Sequence, residues 1–130
     1  MDQHLPSIHV LVVEDSLEIR ELLTRVLERA GATVTAVGTA EDALALLEQS
    51  RPDVLLSGLE MPKKDGYWLI RRVRALAPNR GGLTPAACLT GSTDPEARAR
   101  ILRAGFQYHV AKPVDMSRLL GVVGILALKQ

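Results

Sequence analysis

Five short apolar runs, each followed by a stretch with helical spacing, constrain the fold of this chain more than any other feature. The runs cover residues 8–13, 33–37, 54–57, 84–90 and 106–111. Strand patterns that alternate with helical patterns are typical of a parallel sheet whose strands are joined by right-handed crossovers. We therefore predict a single α/β domain for the 130 residues, with its core between about residues 8 and 128.

The first run, Ile-His-Val-Leu-Val-Val, sets the predicted order of the strands. It is the most apolar and β-branched of the five, which suits a central strand that is buried on both faces. We therefore predict a doubly wound, flavodoxin-like (βα)5 sheet with the strand order 2-1-3-4-5. In such sheets the functional crevice lies beyond the carboxyl ends of the first and third strands.

Start and stop signals support the intervening helices. Asp94-Pro95 is a strong helix start, Gly105 ends that helix, and Asp115 is a predicted cap for the last one. The third and fourth helices are expected to turn their arginines largely to solvent: Arg71, Arg72, Arg74, Arg98, Arg100 and Arg103. Because no aromatic residue lies among the arginines of the fourth helix, we expect no nucleic-acid site there.

Composition narrows the class of protein. The chain is 47% hydrophobic, and its 16 basic and 15 acidic residues give a net charge of +1, which favours neither a nucleic-acid nor a membrane partner. No apolar run reaches the roughly 18 residues of a membrane span. The single cysteine, Cys88, lies in an apolar run and has no partner for an internal disulfide. We expect a cytoplasmic domain in which this thiol is buried and inert.

Polar residues follow the strands that border the predicted crevice. Glu14 and Asp15 come directly after the first strand, and Gly58 follows the third. Two adjacent carboxylates at the end of a buried strand suit a hard cation such as Mg²⁺. Alternatively, Asp15 or Ser16 only caps the first helix.

Thr90 and Lys112 end the fourth and fifth strands and point to the same crevice. The Thr90 hydroxyl is placed to hydrogen-bond a phosphoryl oxygen, although a threonine there is often only a turn residue. The Lys112 ammonium is placed to neutralise carboxylates or a phosphoryl group, unless it is simply solvated. The convergence of four strand ends on one crevice favours the functional interpretation.

These motifs resemble, in order and spacing, the response-regulator receiver domains of two-component systems. The resemblance runs from about residue 8 to residue 126 and rests on four segments: Val12-Val13-Glu14-Asp15-Ser16, Leu59-Glu60-Met61-Pro62 with Asp65-Gly66, Leu89-Thr90-Gly91, and Ala104-Gly105-Phe106 through Ala111-Lys112-Pro113. It implies a domain that takes a phosphoryl group from a histidine kinase, or a phosphotransfer protein, onto an aspartate with the help of Mg²⁺.

The resemblance also implies a role for individual residues. Asp15 would ligate Mg²⁺ directly, Glu14 would act on the ion largely through water, and Glu60 would offer its backbone carbonyl. Thr90 would supply the switch hydroxyl and Lys112 would bind the phosphoryl group.

Two departures from the family pattern stand out. Gly58 occupies the phosphoacceptor position, so the chain is predicted to take no phosphoryl group there and to bind Mg²⁺ weakly. Ser57 should face the other way, and Asp65, in the loop, is a poor substitute acceptor. His109 stands where receivers often carry an aromatic switch residue, and it either swings in that role or has none.

Two functional versions remain open at this stage. Gly58 is either a substitution in a receiver that normally takes a phosphate, or the mark of a natural pseudo-receiver that works as a protein-interaction module. The retained Asp15, Thr90 and Lys112 favour the first version. No independent enzyme is expected, since a flavin site or an aspartate-nucleophile phosphatase would need a different loop from Glu14-Asp15-Ser16-Leu17.

The last helix carries a separate signal. Its apolar residues leave little polar face: Leu119, Leu120, Val122, Val123, Ile125, Leu126 and Leu128. We expect either a homodimer or partner docking on the face of helix four, strand five and helix five, or a helix wedged into its own core. The chain is expected to be a stand-alone regulator or a segment of a longer protein such as a hybrid kinase.

Overall fold

Strands and helices alternate throughout a computed structural model that describes residues 4–92 and 94–128. The strands are β1 His9–Val13, β2 Thr33–Val37, β3 Val54–Gly58, β4 Ala86–Thr90 and β5 Tyr108–Ala111. The helices are α1 Leu17–Arg29, α2 Ala40–Ser50, α3 Gly66–Arg74, α4 Pro95–Ala104 and α5 Met116–Ala127, with a short 3-10 turn at Pro78–Arg80. All strand pairs are parallel and the order is β2-β1-β3-β4-β5, which confirms the predicted flavodoxin-like fold.

The register of the sheet aligns the carboxyl ends of four strands. Val13 of β1 pairs with Ser57 of β3, and Gly58 pairs with Leu89 of β4. Beyond the last pair of β4 and β5, the Lys112 amide donates to the Thr90 carbonyl at 2.9 Å. The loops after β1, β3, β4 and β5 therefore share one edge of the sheet.

Two apolar layers cover the faces of the sheet. Val10 and Val12 of β1 point toward the layer formed with α1 and α5, whereas Leu11 and Val13 point toward the layer formed with α2, α3 and α4. All four side chains are fully buried, as expected of a central strand. None of the helices in residues 4–92 and 94–128 is long and apolar enough to cross a membrane.

Helix α5 packs mainly into its own domain. Four of its apolar side chains are buried in the layer shared with α1: Leu119, Val122, Val123 and Leu126. Ile125 and Leu128 remain 44% and 81% exposed, so a smaller apolar strip still faces outward. Helix α5 is therefore wedged into the core of its own domain, whereas the homodimer stays a prediction.

Each α-helix begins at a polar side chain that accepts a hydrogen bond from the backbone three residues later. The caps are Ser16, Thr39, Asp65, Asp94 and Asp115. The caps predicted at Asp94 and Asp115 are confirmed. Ser16, and not Asp15, caps α1, so the Asp15 carboxylate has no capping role.

The expectation that Arg74 is largely solvated is wrong. Its guanidinium donates to the carbonyls of Gly105, Gly82 and Thr84 at 2.7–3.0 Å, and burial lowers its pKa from the ordinary value. Five N–H donors in a planar fork can satisfy several carbonyls at once, which a helical period does not reveal. Arg74 therefore ties the end of α3 to the chain segments before β4 and β5.

The free Cys88 thiol lies in the interior of β4, as predicted. Burial, and secondly the negative charge of Glu60, raise the pKa of this thiol to about 12. A thiol in this state carries almost no thiolate near neutral pH, so it is a poor nucleophile.

Gly66 lets α3 start directly against the end of β3. A methyl group on this residue would lie 2.5 Å from the Gly58 carbonyl oxygen and 2.9 Å from the Leu59 Cα. The Gly66 amide also donates to the Leu59 carbonyl at 2.8 Å, so the backbone has little room to retreat. This close approach fixes the loop that follows position 58.

We predict that Gly66→Ala lowers the free energy of unfolding by about 2 kcal/mol, because the new methyl group forces two backbone segments apart. Gly121→Ala is the matched control, since nothing lies within 4 Å of its added carbon in α5. That control should gain about 0.5 kcal/mol from the lower chain entropy of the unfolded state. Urea denaturation checks both, and equal stabilities of the two variants would contradict the close approach.

Candidate functional site

A buried carboxylate stands at the centre of the predicted crevice. Glu14 is only 1% exposed, and its Oε1 atom lies 3.0 Å from the Lys112 Nζ atom. A Cβ atom placed on Gly58 would lie 3.1 Å from the same Oε1 and 3.4 Å from the Met61 Cγ and Sδ atoms. Glu14, Lys112 and Gly58 thus come together as predicted, and Glu14 and Met61 border the space that an aspartate at position 58 would use.

The turn between β1 and α1 holds the Glu14 side chain in place. Its second carboxylate oxygen accepts from the Ser16 amide at 2.9 Å, and its own amide donates to the Val37 carbonyl at 3.1 Å. A charge-assisted bond of this kind is stronger than one between neutral groups. The carboxylate is therefore satisfied entirely by protein groups.

Arg20, which no sequence motif singled out, also contacts this turn. Its Nη1 atom donates to the Glu14 carbonyl at 2.8 Å. A Cβ atom on Gly38, after β2, would lie 2.7 Å from the same nitrogen. The only available sequence signal was a glycine at a predicted strand end, which allows a long side chain to lie close to the backbone.

The Thr90 hydroxyl has a protein partner of its own. Thr90 is fully buried, donates to Glu60 Oε2 at 2.7 Å and accepts from the Ser92 amide at 3.0 Å. The Gly91 amide also donates weakly to Glu60 Oε1, at 3.4 Å. We predicted a role only for the Glu60 backbone carbonyl, so sequence analysis missed the contact of its side chain.

The remaining candidates lie around this centre. Asp15 is exposed. The buried Ser57 hydroxyl donates to the Gly58 carbonyl at 2.7 Å, and Asp65 accepts from the Trp68 amide as the cap of α3. The Lys112–Pro113 peptide bond, whose isomer the sequence left open, is cis. Neither Ser57 nor Asp65 is placed as a substitute acceptor.

As placed, the described acidic residues around Gly58 offer few free ligands to a magnesium ion. Within residues 4–92 and 94–128, no three acidic, histidine or cysteine side chains are grouped to hold a metal ion. The Glu14 carboxylate is occupied by Lys112 and Ser16, and the Glu60 carboxylate by Thr90. A hard cation needs several free oxygen ligands, and only Asp15 offers an unengaged carboxylate here.

His109 lies partly buried on β5, beside the crevice. Burial, followed by the positive charges of Arg98 on α4 and Arg118 on α5, lowers its pKa from the ordinary value of 6.5. Tyr108 packs against the other side, in the layer formed with α1 and α5, as strand alternation predicts. The imidazole is therefore neutral near physiological pH.

Comparisons with known proteins agree with this architecture. The family model described as "Response regulator receiver domain" matches residues 10–124. A putative response regulator from Chloroflexus aurantiacus has a crystal structure that matches with a TM-score of 0.86 and 29% identity, covering 95% of this chain and 99% of that one.

Curated relatives include one short protein and several long ones. An uncharacterized 14.6 kDa protein of Leptolyngbya boryana is 42% identical over 93% of this chain and 91% of its own length. The hybrid signal transduction histidine kinase D of Dictyostelium discoideum is 32% identical over 88% of this chain, which spans only 8% of that kinase. With the family model over most of its length and the same fold, this chain belongs to the response-regulator receiver domains of two-component signalling.

Proposed function

We propose that this chain is a receiver module that takes no phosphoryl group at position 58 and signals through contacts with other proteins. The observation that carries the proposal is the Glu14 carboxylate, which lies beside Gly58 and is already paired with Lys112. Glycine has no nucleophile, and the lysine that the family resemblance assigns to the phosphoryl group is bound to a buried carboxylate instead.

Lys112 and Thr90 both have partners within the chain, which explains their presence without phosphate chemistry. On sequence grounds alone, the retained Thr90 and Lys112 favour a receiver that normally takes a phosphate. In the structure, Lys112 neutralises Glu14 and Thr90 binds Glu60, so each has a structural task without phosphate. This favours the pseudo-receiver over the other candidate, a phosphate-accepting receiver in which Gly58 is a substitution.

We also propose that the chain binds Mg²⁺ weakly, because Gly58 supplies no carboxylate. An aspartate at position 58 would add a third carboxylate beside Glu14 and Asp15, and its Cβ atom would lie 3.1 Å from Glu14 Oε1. Without a cation, two carboxylates this close repel each other, and Lys112 alone cannot neutralise both. Gly58 therefore removes both the metal ligand and the repulsion.

The partner surface we propose is the face of α4, β5 and α5. Leu102 and Ile125 are 49% and 44% exposed there, and Arg98 and Arg118 add positive charge. Several relatives are named as histidine kinases, so the proposed partners are a histidine kinase, a phosphotransfer protein or a second copy of this chain. Thr90 and Lys112 begin the loops that lead to α4 and α5, so they join this face to the crevice.

We predict that Gly58→Asp restores chemistry at this position. The variant should bind Mg²⁺ more tightly and gain the mass of one phosphoryl group with acetyl phosphate and Mg²⁺, whereas the unmodified chain should not. Without Mg²⁺ its free energy of unfolding should not exceed that of the unmodified chain, because its carboxylate lies beside Glu14. Calorimetry, intact mass and urea denaturation test these points.

Gly58→Asn is the matched control for this experiment, since it adds nearly the same volume without a charge or a nucleophile. It should neither tighten Mg²⁺ binding nor become phosphorylated. A stoichiometric, base-labile adduct on the unmodified chain would overturn the proposal, and so would a Gly58→Asp variant with unchanged Mg²⁺ affinity.

We predict that Lys112→Met lowers the free energy of unfolding by about 2 kcal/mol, because it leaves the buried Glu14 carboxylate without its cation. The exposed pair of Arg80 and Glu48 supplies the control, and Arg80→Met should cost less than about 0.5 kcal/mol. Adding Glu14→Gln to Lys112→Met should recover part of the loss. Additive effects of these two changes in a double-mutant cycle would refute the pairing.

We predict that His109 titrates below 6.5, since burial and two arginines disfavour its charged form. The unfolded chain then binds more protons just below pH 6.5, so the free energy of unfolding rises with pH through that window and levels off above it. NMR titration of the imidazole measures the pKa directly. Arg118→Gln should raise it, and an unchanged value in that variant would show that Arg118 does not act on His109.

A further inference from the structure

A second surface, on α3, carries four contacts between cations and aromatic rings. Lys64 Nζ lies 5.6 Å and Arg72 Cζ 5.0 Å from the centre of the Trp68 ring. Arg71 Cζ lies 5.6 Å and Arg100 Cζ 5.1 Å from the centre of the Tyr67 ring. We call these six residues the α3 basic face. Lys64 lies in the loop before α3, Arg100 lies on α4, and the other four lie on α3: Tyr67, Trp68, Arg71 and Arg72.

Helical spacing explains how the face is built. On α3, Trp68 and Arg72 are four residues apart and form one row, and Tyr67 with Arg71 forms the neighbouring row. Lys64 reaches the Trp68 ring from the loop before the helix. Arg100 reaches the second row from α4, which packs beside α3. No aromatic residue lies among the arginines of α4 in sequence, but α3 supplies the Tyr67 ring to Arg100.

The cations of this face have no carboxylate partner. Among the described residues the ion pairs are Arg80 with Glu48 and Lys112 with Glu14, so none involves the α3 basic face. Asp65, the acidic residue nearest in sequence to Lys64, Arg71 and Arg72, is committed to capping α3. Acidic residues do border Arg100, since Glu96 and Asp94 line the same pocket as Tyr67 and Arg100. The positive charge that no ion pair of the described residues neutralises is therefore concentrated at Lys64, Arg71 and Arg72.

The rings hold these cations in position. Tyr67 and Trp68 are partly buried and pack against the sheet layer of α2, α3 and α4. A cation over such a ring is attracted to its electron-rich face and loses rotamer freedom that a solvated side chain would keep. A partner therefore meets guanidinium and ammonium groups that are already partly ordered, which lowers the entropy cost of binding.

We propose that the α3 basic face binds an acidic segment, rich in aspartate and glutamate, of a partner protein. Carboxylates pair with guanidinium groups through two parallel hydrogen bonds, which suits Arg71, Arg72 and Arg100. Nucleic acid fits less well, since bases stack on free aromatic faces and both rings here already carry cations. This surface lies on α3 and its preceding loop, with Arg100 as its only residue on α4, and its test is independent of the chemistry at position 58.

Trp68 is the only tryptophan of the chain and reports directly on this face. Titration with an octaglutamate peptide should change its fluorescence in a saturable way, and added salt should weaken the binding. The double variant R71Q/R72Q should weaken binding roughly tenfold, which calorimetry measures independently of the fluorophore. Lys64→Gln, in the loop before α3, should weaken it by a smaller factor.

The matched control is R25Q/R29Q, which removes the same charge from exposed positions on α1. It should leave octaglutamate binding within about twofold of the unmodified chain. Circular dichroism confirms that each variant is folded before its affinity is compared. Equal weakening in both double variants would overturn the proposal in favour of non-specific attraction, and so would the absence of binding. Tighter binding of a thymidine octanucleotide than of octaglutamate would overturn the choice of partner.

Discussion

The ion pair of Glu14 and Lys112 is the interaction around which the crevice is arranged. A carboxylate that is 1% exposed is costly unless a cation and hydrogen bonds compensate it, and here a lysine and a backbone amide do so. The pair joins the loop after β1, near one side of the sheet, to the loop after β5 at its edge. Gly58, between them, adds no competing charge, so one cation is enough.

The fold and the position of the crevice were predictable because both follow from short-range periodicity. Alternating apolar runs placed the strands, and the topology of parallel sheets then brought Glu14, Gly58, Thr90 and Lys112 to one edge. Caps such as Asp94 and Asp115 were visible for the same reason, since each acts within three residues of its own position. Features that depend on residues close in sequence, such as strands and helix caps, could therefore be predicted from the sequence alone.

Three of the missed contacts belong to long side chains whose partners are distant in sequence. Glu60 reaches Thr90 across 30 positions, and Arg74 reaches Gly105 across 31. Arg100 meets the Tyr67 ring from another helix. In each case the helix or strand pattern gives the direction of the backbone, but the rotamer depends on which acceptor the assembled fold supplies. A role for the Glu60 backbone carbonyl could be proposed from the sequence, but the contact of its carboxylate with Thr90 could not be predicted.

The contacts of Glu14 with Lys112 and of Glu60 with Thr90 connect the crevice to helices α4 and α5. The carboxylates of Glu14 and Glu60 follow β1 and β3, whereas their partners Lys112 and Thr90 follow β5 and β4 and lead into α5 and α4. Carboxylates of the chain itself thus contact the lysine and the hydroxyl to which the family resemblance assigns the phosphoryl group. The carboxylates at the carboxyl edge of the sheet therefore contact the residues that precede α4 and α5, through Thr90 and Lys112. If the module responds to a partner instead of phosphate, a partner that displaces either carboxylate acts on the same two loops.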